Sequence, residues 1–115
     1  MKIWREKNPD GFTPPAHFGG LKVTNIVPFG DGEFSVQVSK APPGAGGEMH
    51  HHDSWSQVFF VLEGELSFDT SREKFTLYPG ESVLFEPKDP HATLNEGKTD
   101  SVSLVFTVKH EHQPA

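Results

Sequence analysis

The sequence predicts an all-β fold of short strands, either a barrel or a sandwich. Ten prolines and eleven glycines interrupt the 115 residues at short intervals, which favours strands and tight turns over helices. Candidate strands recur about every 8–12 residues, the spacing typical of barrels and sandwiches. No stretch carries the apolar stripe of an amphipathic helix.

The strand pattern can be followed from residue 21 to residue 109. It is clearest at 33–41, where apolar and polar side chains alternate from Phe34 to Ser39. Asp31-Gly32, just before this stretch, is a turn signal. The other strands are predicted at 21–29, 57–62, 65–69, 75–77, 82–85, 91–94 and 101–109, with residues 49–53 leading into the strand at 57–62.

We predict a single domain, because the chain is long enough for one core and shows no linker or internal repeat. Residues 1–20 are rich in proline and lack periodicity, which predicts an extended N-terminal arm. Residues 21–112 are expected to form the barrel.

Charge and composition exclude several classes of function. The net charge of -6 opposes binding to phosphate backbones, so nucleic acid is not an expected partner. The absence of cysteine excludes disulfides, thiolate zinc sites and cysteine nucleophiles. No apolar run approaches the length of a membrane span, and Met1 to Glu6 lack the apolar core of a signal peptide. We therefore expect a cytoplasmic protein without a membrane partner.

Histidines form the most informative pattern in the sequence. Three of the seven are consecutive, from His50 to His52. Because successive side chains on a strand point to opposite faces, His50 and His52 are expected to share a face, with His51 turned away. Gln57 opens the next strand, and His91 begins a later one. Imidazoles two residues apart on a strand are spaced to bind one ion.

These residues resemble the two sequence motifs of the cupins. The first motif is similar to Gly44, His50-x-His52, Gln57 and Gly64, and the second to the stretch from Gly80 through His91 to Asn95. The resemblance implies a double-stranded β-helix, the jelly-roll barrel of cupins, with a metal ion at its mouth. It also implies that the ligands are His50, His52, Gln57 and His91.

The chain departs from the cupin motifs at three positions. Gln57 stands where the family has a glutamate, and Glu86 and Lys88 replace the usual proline and glycine before His91. A neutral amide oxygen leaves the ion its full charge, which favours Lewis-acid catalysis. It also removes the carboxylate of the common iron oxygenase pattern. The ligand set suits Zn, Ni, Mn, Fe, Co or Cu, and the sequence does not select among them.

Three functions fit this pattern. The first is Lewis-acid isomerase, cyclase or lyase chemistry on a small oxygenated metabolite. The His, His, Gln, His pattern is similar to that of cupins acting on unsaturated uronates and of polyketide cyclases, although Leu104 and His110 stand where the uronate group has an Asp and an Arg. The second is an iron-dependent dioxygenase. The third is a non-catalytic cupin that binds a small molecule.

Further residues are candidates for the pocket. Trp55, Phe59, Val61, Phe85, Phe106 and His17 are predicted to line it, although aromatic residues in strands also serve core packing alone. The catalytic acid or base is not identified, with His17 and Tyr78 as outside candidates. His51 is expected at the surface, and His110 and His112 in a frayed C-terminal tail.

The resemblance also implies a homodimer. Val58, Phe60 and Leu62 are predicted to point away from the face that carries Gln57. Such an outward apolar row needs cover, which the proline-rich N-terminal arm would supply across a partner.

Overall fold

The chain is an antiparallel all-β structure. A computed structural model describes residues 1–5, 7–29 and 33–110. Across these ranges it contains no helix, and therefore none that could span a membrane. The ten strands are β1 (His17–Phe18), β2 (Lys22–Val27), β3 (Phe34–Ala41), β4 (Gly46–His50), β5 (Trp55–Glu63), β6 (Leu66–Asp69), β7 (Lys74–Leu77), β8 (Ser82–Phe85), β9 (His91–Leu94) and β10 (Ser101–Lys109).

The strands form two five-stranded sheets, each named here by its central strand. The β10 sheet has the order β2-β3-β10-β5-β8, and the β9 sheet has the order β1-β4-β9-β6-β7. All pairings are antiparallel, and apart from the consecutive pairs β2–β3 and β6–β7 the neighbours in each sheet are distant in sequence. This topology confirms the predicted jelly-roll barrel.

Most predicted strands are confirmed, with bounds of β2, β3, β6 and β7 that differ by one or two residues, and the larger differences lie around the histidine run. The bounds of β8, β9 and β10 are those predicted, whereas β5 begins two residues early, at Trp55. β4 ends at His50, so His51 and His52 lie beyond the strand on which they were placed. The Asp31-Gly32 turn lies outside the described residues.

The predicted arm lies against the barrel. Within residues 1–20, β1 pairs with β4, and Phe12 forms a bridge with Val23. The boundary proposed at residue 20 stays a prediction.

The apolar core lies between the two sheets. Its larger cluster contains Val61, Leu66, Phe68 and Phe85, which are buried, with Phe59, Phe75, Leu77 and Val83 packed against them. Phe68 stacks on Phe75 with ring centroids 5.3 Å apart. A smaller cluster contains Leu21, Val23, Ala41 and Ala45. The aromatic cluster forms one wall of the histidine site, because Phe85 also stacks on His91.

The β10 sheet has an unusual distribution of polarity. Its buried face carries hydroxyl side chains, including Ser35, Ser101, Ser103 and Thr107, each at most 3% exposed. Its outer face carries apolar side chains, and several of these are exposed. A sheet that covers a core usually has the opposite pattern, with apolar residues inside and polar residues outside.

Asn95 links three parts of the barrel. Its side-chain amide donates hydrogen bonds to the carbonyls of Ala41 and Thr99, both at 2.8 Å, and its side-chain oxygen accepts one from the Gly97 N–H at 2.9 Å. The side chain is fully buried, so each of these bonds would be costly to lose. This residue of the second cupin motif therefore has a structural role.

Gly64 is required where β5 turns into β6. Its φ is +70°, and a Cβ there would collide with the backbone carbonyl of Asp100. Gly44 has a similar φ of +84° but has no atom within 4 Å of such a Cβ. Alanine substitutions at these two positions therefore distinguish the effect of backbone strain alone from the effect of strain combined with a steric collision.

We predict that Gly64→Ala destabilises the fold more than Gly44→Ala. Strain in the left-handed region alone should lower the free energy of unfolding by about 1 kcal/mol in Gly44→Ala. The added collision should bring the loss in Gly64→Ala to about 3 kcal/mol. Urea denaturation of both variants measures the difference, and equal losses would contradict the prediction.

Candidate metal centre

The pairing of β4 with β9 brings two histidines together that are distant in sequence. His50 lies directly opposite His91 in the register. The strands approach closely because β4 begins with two glycines. A Cβ on Gly46 would collide with the Thr93 carbonyl, and the Gly47 N–H donates to the Thr93 hydroxyl at 3.0 Å.

His52 completes a cluster of three imidazoles. The nitrogen atoms available for ligation on His50, His52 and His91 all lie within 4.8 Å of one another. The ring centroids of His50 and His91 are 4.6 Å apart, and those of His50 and His52 are 5.0 Å apart. His51 points away and lies 3.3 Å from the exposed Asp53 carboxylate. The alternation predicted from the sequence thus continues past the end of β4.

Backbone carbonyls orient two of the rings. The Nδ1–H of His50 donates to the Glu48 carbonyl at 2.8 Å, and that of His91 donates to the Asp89 carbonyl at 3.3 Å. In a neutral imidazole held this way, Nε2 keeps its lone pair for a metal. The Nε2 atom of His91 is buried and has no hydrogen-bond partner.

Burial favours the neutral forms of His52 and His91 by lowering the pKa of each. Burial, followed by the neighbouring His50, lowers the pKa of His91 to about 4. Burial also lowers the pKa of His52, with His50 and His51 as smaller causes. The neutral form, which is the form that binds metals, is therefore favoured at neutral pH.

Gln57 supplies a further unpaired atom near the cluster. It lies opposite Phe85 on β8 and Thr107 on β10, and Phe85 stacks on His91 with centroids 4.2 Å apart. Its amide nitrogen donates to the Thr107 hydroxyl at 3.0 Å, which fixes the amide orientation. Its side-chain oxygen is buried without a partner. Thr107 was not found from the sequence, although its inward position in β10 follows from strand alternation.

The donor atoms fit a divalent transition metal. His50, His52 and His91 offer imidazole nitrogens, which suit zinc, nickel, copper and iron. A buried atom without a hydrogen-bond partner carries a large desolvation cost, and both His91 Nε2 and Gln57 Oε1 are such atoms. A bound cation would relieve that cost at both atoms. Ligation by Gln57 stays a prediction.

The residues predicted to line the pocket differ in how close they lie to the histidine cluster. Trp55 stacks on His52 at 4.7 Å, and Phe59 lies with its centroid 5.9 Å from that of His91. His17 is 6.0 Å from His50 by the same measure, and its Nδ1–H donates to the Pro15 carbonyl at 2.8 Å. Val61 is fully buried within the core cluster.

Phe106 does not line the interior, and this part of the prediction is wrong. The residue is 42% exposed, whereas its neighbours Val105 and Thr107 are buried. Strand alternation therefore places Phe106 on the outer face of the β10 sheet. The prediction followed its aromatic character and not its position along the strand.

Tyr78 and His110, which the sequence analysis also considered, lie outside the histidine cluster. Tyr78 is half exposed, at the turn between β7 and β8. His110 contacts the Ser56 hydroxyl at 2.6 Å, so it is held at the end of β5 and is not part of a frayed tail. His112 lies outside the described residues.

The interior also contains a small cavity. It has a volume of about 30 Å³ and is lined by His17, Ser39, Phe59, Thr93, Ser101 and Ser103, among others. The hydroxyls of Ser101 and Ser103 are buried without partners. A larger hollow of about 390 Å³ involves Ser67, Thr76 and Leu94 of the β9 sheet, but none of the three histidines lines it. We assign the site to the histidine cluster because the ligating nitrogens of His50, His52 and His91 converge there, all within 4.8 Å of one another.

The jelly-roll topology and the histidine cluster together define a protein of the cupin class. Residues 37–108 match the family described as "Cupin domain". This match covers more than half of the chain, which therefore belongs to the cupin family.

Similar proteins support the fold. The chain is 30% identical over 63 residues to the uncharacterized protein MJ1618 of Methanocaldococcus jannaschii, a match that covers 55% of this chain and 50% of that protein. The chain thus spans about half the length of the curated relative that it matches.

Three solved structures have the same fold at low identity. A predicted oxalate decarboxylase of Thermotoga maritima superposes with a TM-score of 0.75 at 17% identity, covering 95% of this chain and 99% of that one. KdgF of Halomonas sp. superposes with a TM-score of 0.72 at 18% sequence identity, and the match covers 87% of this chain and 86% of that one. A cupin sugar phosphate isomerase of Silicibacter pomeroyi superposes with a TM-score of 0.65 at 21% sequence identity, and the match covers 76% of this chain and 59% of that one.

Proposed function

We propose that the protein is a divalent-metal-dependent enzyme that acts on a small oxygenated metabolite by Lewis-acid catalysis. The observation that carries this proposal is the convergence of three imidazoles, beside which lies a buried amide oxygen without a partner. The reaction class is isomerisation, cyclisation or lyase chemistry.

The neutral ligand set supports a Lewis-acid function. None of the four proposed ligands, His50, His52, Gln57 and His91, carries a negative charge when the imidazoles are neutral. A divalent ion held by them would keep its full charge and polarise an oxygen atom of the substrate. The chain's own contribution is to orient Nε2 of His50 and His91 through backbone carbonyls and to fix the Gln57 amide through Thr107.

The polar interior supports an oxygenated substrate. The inner face of the β10 sheet offers hydroxyl groups, and those of Ser101 and Ser103 are buried without hydrogen-bond partners. An apolar ligand would leave such groups without partners, whereas hydroxyl or carbonyl groups would satisfy them. Trp55, stacked on His52, offers an aromatic surface at the same end of the barrel. The sugar phosphate isomerase among the structural neighbours has a substrate of this chemical kind.

We predict metal-dependent proton exchange as the first sign of activity. Protein loaded with Zn, Ni, Mn or Co is incubated in D₂O with a panel of uronates, ketoses and hydroxy ketones. Proton NMR then follows loss of the signal from hydrogens beside carbonyl groups. Exchange is expected with the wild type and with His51→Ala, whose side chain points away from the cluster. His52→Ala is expected to give none.

The same experiment separates the other functions. Oxygen uptake by the iron-loaded protein alone, without exchange under any metal, would contradict the proposal and support a dioxygenase. Shifts of ligand signals on binding, without exchange or oxygen uptake, would also contradict it and support a non-catalytic binding protein.

We predict that Gln57→Glu tightens metal binding. A carboxylate in place of the amide adds a negative charge near the ion, and the dissociation constant for Co(II) should fall about tenfold. Gln37→Glu is the matched control, because Gln37 lies in the same sheet, on β3, and its amide donates to the side-chain oxygen of Asn25 at 2.8 Å. Calorimetric titration measures both variants. An unchanged constant in Gln57→Glu would show that residue 57 does not contact the metal.

A further inference from the structure

We propose that Trp55 is the positioning residue of His52, one of the three imidazoles of the candidate metal centre. The indole ring stacks on the His52 ring with centroids 4.7 Å apart and an angle of 28° between the planes. This contact holds the His52 nitrogen where it converges with those of His50 and His91. The inference rests on the metal site of the proposed function and not on the reaction, because metal binding is measured without a substrate.

His52 differs from the other two histidines in what holds its ring. The Nδ1–H groups of His50 and His91 donate to backbone carbonyls, and both residues lie in paired strands. His52 lies beyond the end of β4, and its ring makes no hydrogen bond within the part of the chain that the structure describes. The Lys88 N–H donates to its carbonyl at 2.6 Å, which fixes the main chain but not the side-chain rotamer. Metal-binding imidazoles usually have a partner for the second nitrogen, so His52 needs a different support.

The contact with Trp55 is the one suited to orient the His52 ring. His52 also meets His50 edge-on, with centroids 5.0 Å apart and planes at 74°, and lies 6.2 Å from His91. The stack on the indole is the shortest of the three contacts and the nearest to parallel. A ring stacked face to face loses that contact when it rotates about its own side-chain bonds. The other two neighbours are proposed ligands themselves, so only Trp55 supports His52 from outside the cluster.

Trp55 is itself held by the β10 sheet. It is the first residue of β5 and lies opposite Lys109 on β10. Phe29 packs on the indole with centroids 5.2 Å apart, and the Lys109 Nζ lies 4.3 Å from the centre of the Phe29 ring. A row of contacts therefore runs from the end of β10 to the His52 ring. A side chain fixed in a sheet can in this way orient a ligand that lies on a connecting segment.

A second explanation is that Trp55 only covers the connection between β4 and β5. Both explanations need a large apolar side chain at position 55, but only positioning needs a flat ring. Phenylalanine keeps a flat ring, and it removes no hydrogen bond, since the indole N–H donates none within the described residues. Leucine fills space without a flat face. Trp55→Phe and Trp55→Leu therefore distinguish the two explanations.

Calorimetric titration of the full chain with Zn(II) tests the inference. Trp55→Leu should weaken Zn(II) binding about tenfold, as is typical when the group that orients a metal ligand is removed. Trp55→Phe should bind Zn(II) nearly as tightly as the wild type. Trp4→Leu is the matched control, because Trp4 is 48% exposed on the N-terminal arm, and it should leave the affinity unchanged. Circular dichroism shows whether each variant is folded.

The same substitution in a His52→Ala background shows whether Trp55 acts through His52. His50 and His91 should still bind Zn(II) there, more weakly. Trp55→Leu should then cause no further loss, because two residues that act through one contact are not additive. Phe29→Leu, which removes the support behind the indole, should give a smaller loss that is also absent in this background. This variant tests the inference if Trp55→Leu does not fold.

Four results would overturn the inference. Equal Zn(II) affinity in the wild type and Trp55→Leu would do so and leave the metal site intact. A loss in Trp55→Phe as large as in Trp55→Leu would exclude stacking as the cause. A further tenfold loss from Trp55→Leu in the His52→Ala background would show that Trp55 supports the barrel mouth in general. A folded wild type that does not bind Zn(II) would overturn the metal site together with this inference.

Discussion

The pairing of β4 with β9 is the constraint on which the candidate metal centre depends. It places His50 opposite His91, although 41 positions separate them in the sequence. The close approach requires glycine at position 46, and Asn95 fixes the end of β9 against the end of β3. His52 then needs only the short extended segment after β4 to reach the same face. A shift in the register of β4 with β9 would separate the imidazoles even if the rest of the barrel kept its structure.

Polarity in the β10 sheet connects the interior to the exterior of the molecule. The inner face carries Gln57, Thr107 and several serines, so one wall of the barrel is polar where most barrels are apolar. The inner positions of β3 and β10 are mainly polar, and most apolar residues of these two strands point outward.

Much of the fold could be predicted from the sequence. Alternation and turn residues gave the strands, and their recurrence gave the all-β class. Two spaced motifs, with glycines that tight turns or close approaches need, indicated the barrel. The strand predictions were most accurate where alternation was regular, as in β10, and least accurate at the histidine run, where β4 ends before His52.

The side-chain environment could be predicted less well, because it depends on which strands become neighbours. The histidine cluster could be predicted from the spacing of the motifs. The hydrogen bond from the Gln57 amide to the Thr107 hydroxyl could not, because it depends on the register of β5 with β10. Phe106 was placed in the pocket by its residue type, whereas counting from Thr107 would have placed it outside. The hydrogen bond between Ser56 and His110 likewise depends on the pairing of strands that are distant in sequence, which no local sequence pattern shows.

The central claim is that the three imidazoles hold a divalent metal ion, and elemental mass spectrometry of the purified, tag-free chain tests it most directly. The account predicts about one equivalent of a first-row transition metal per chain, as expected for a site with several protein ligands. It predicts the same for His51→Ala and almost none for His91→Ala. A wild-type protein that remains folded yet retains no metal after incubation with zinc, nickel, manganese, cobalt and iron would contradict it.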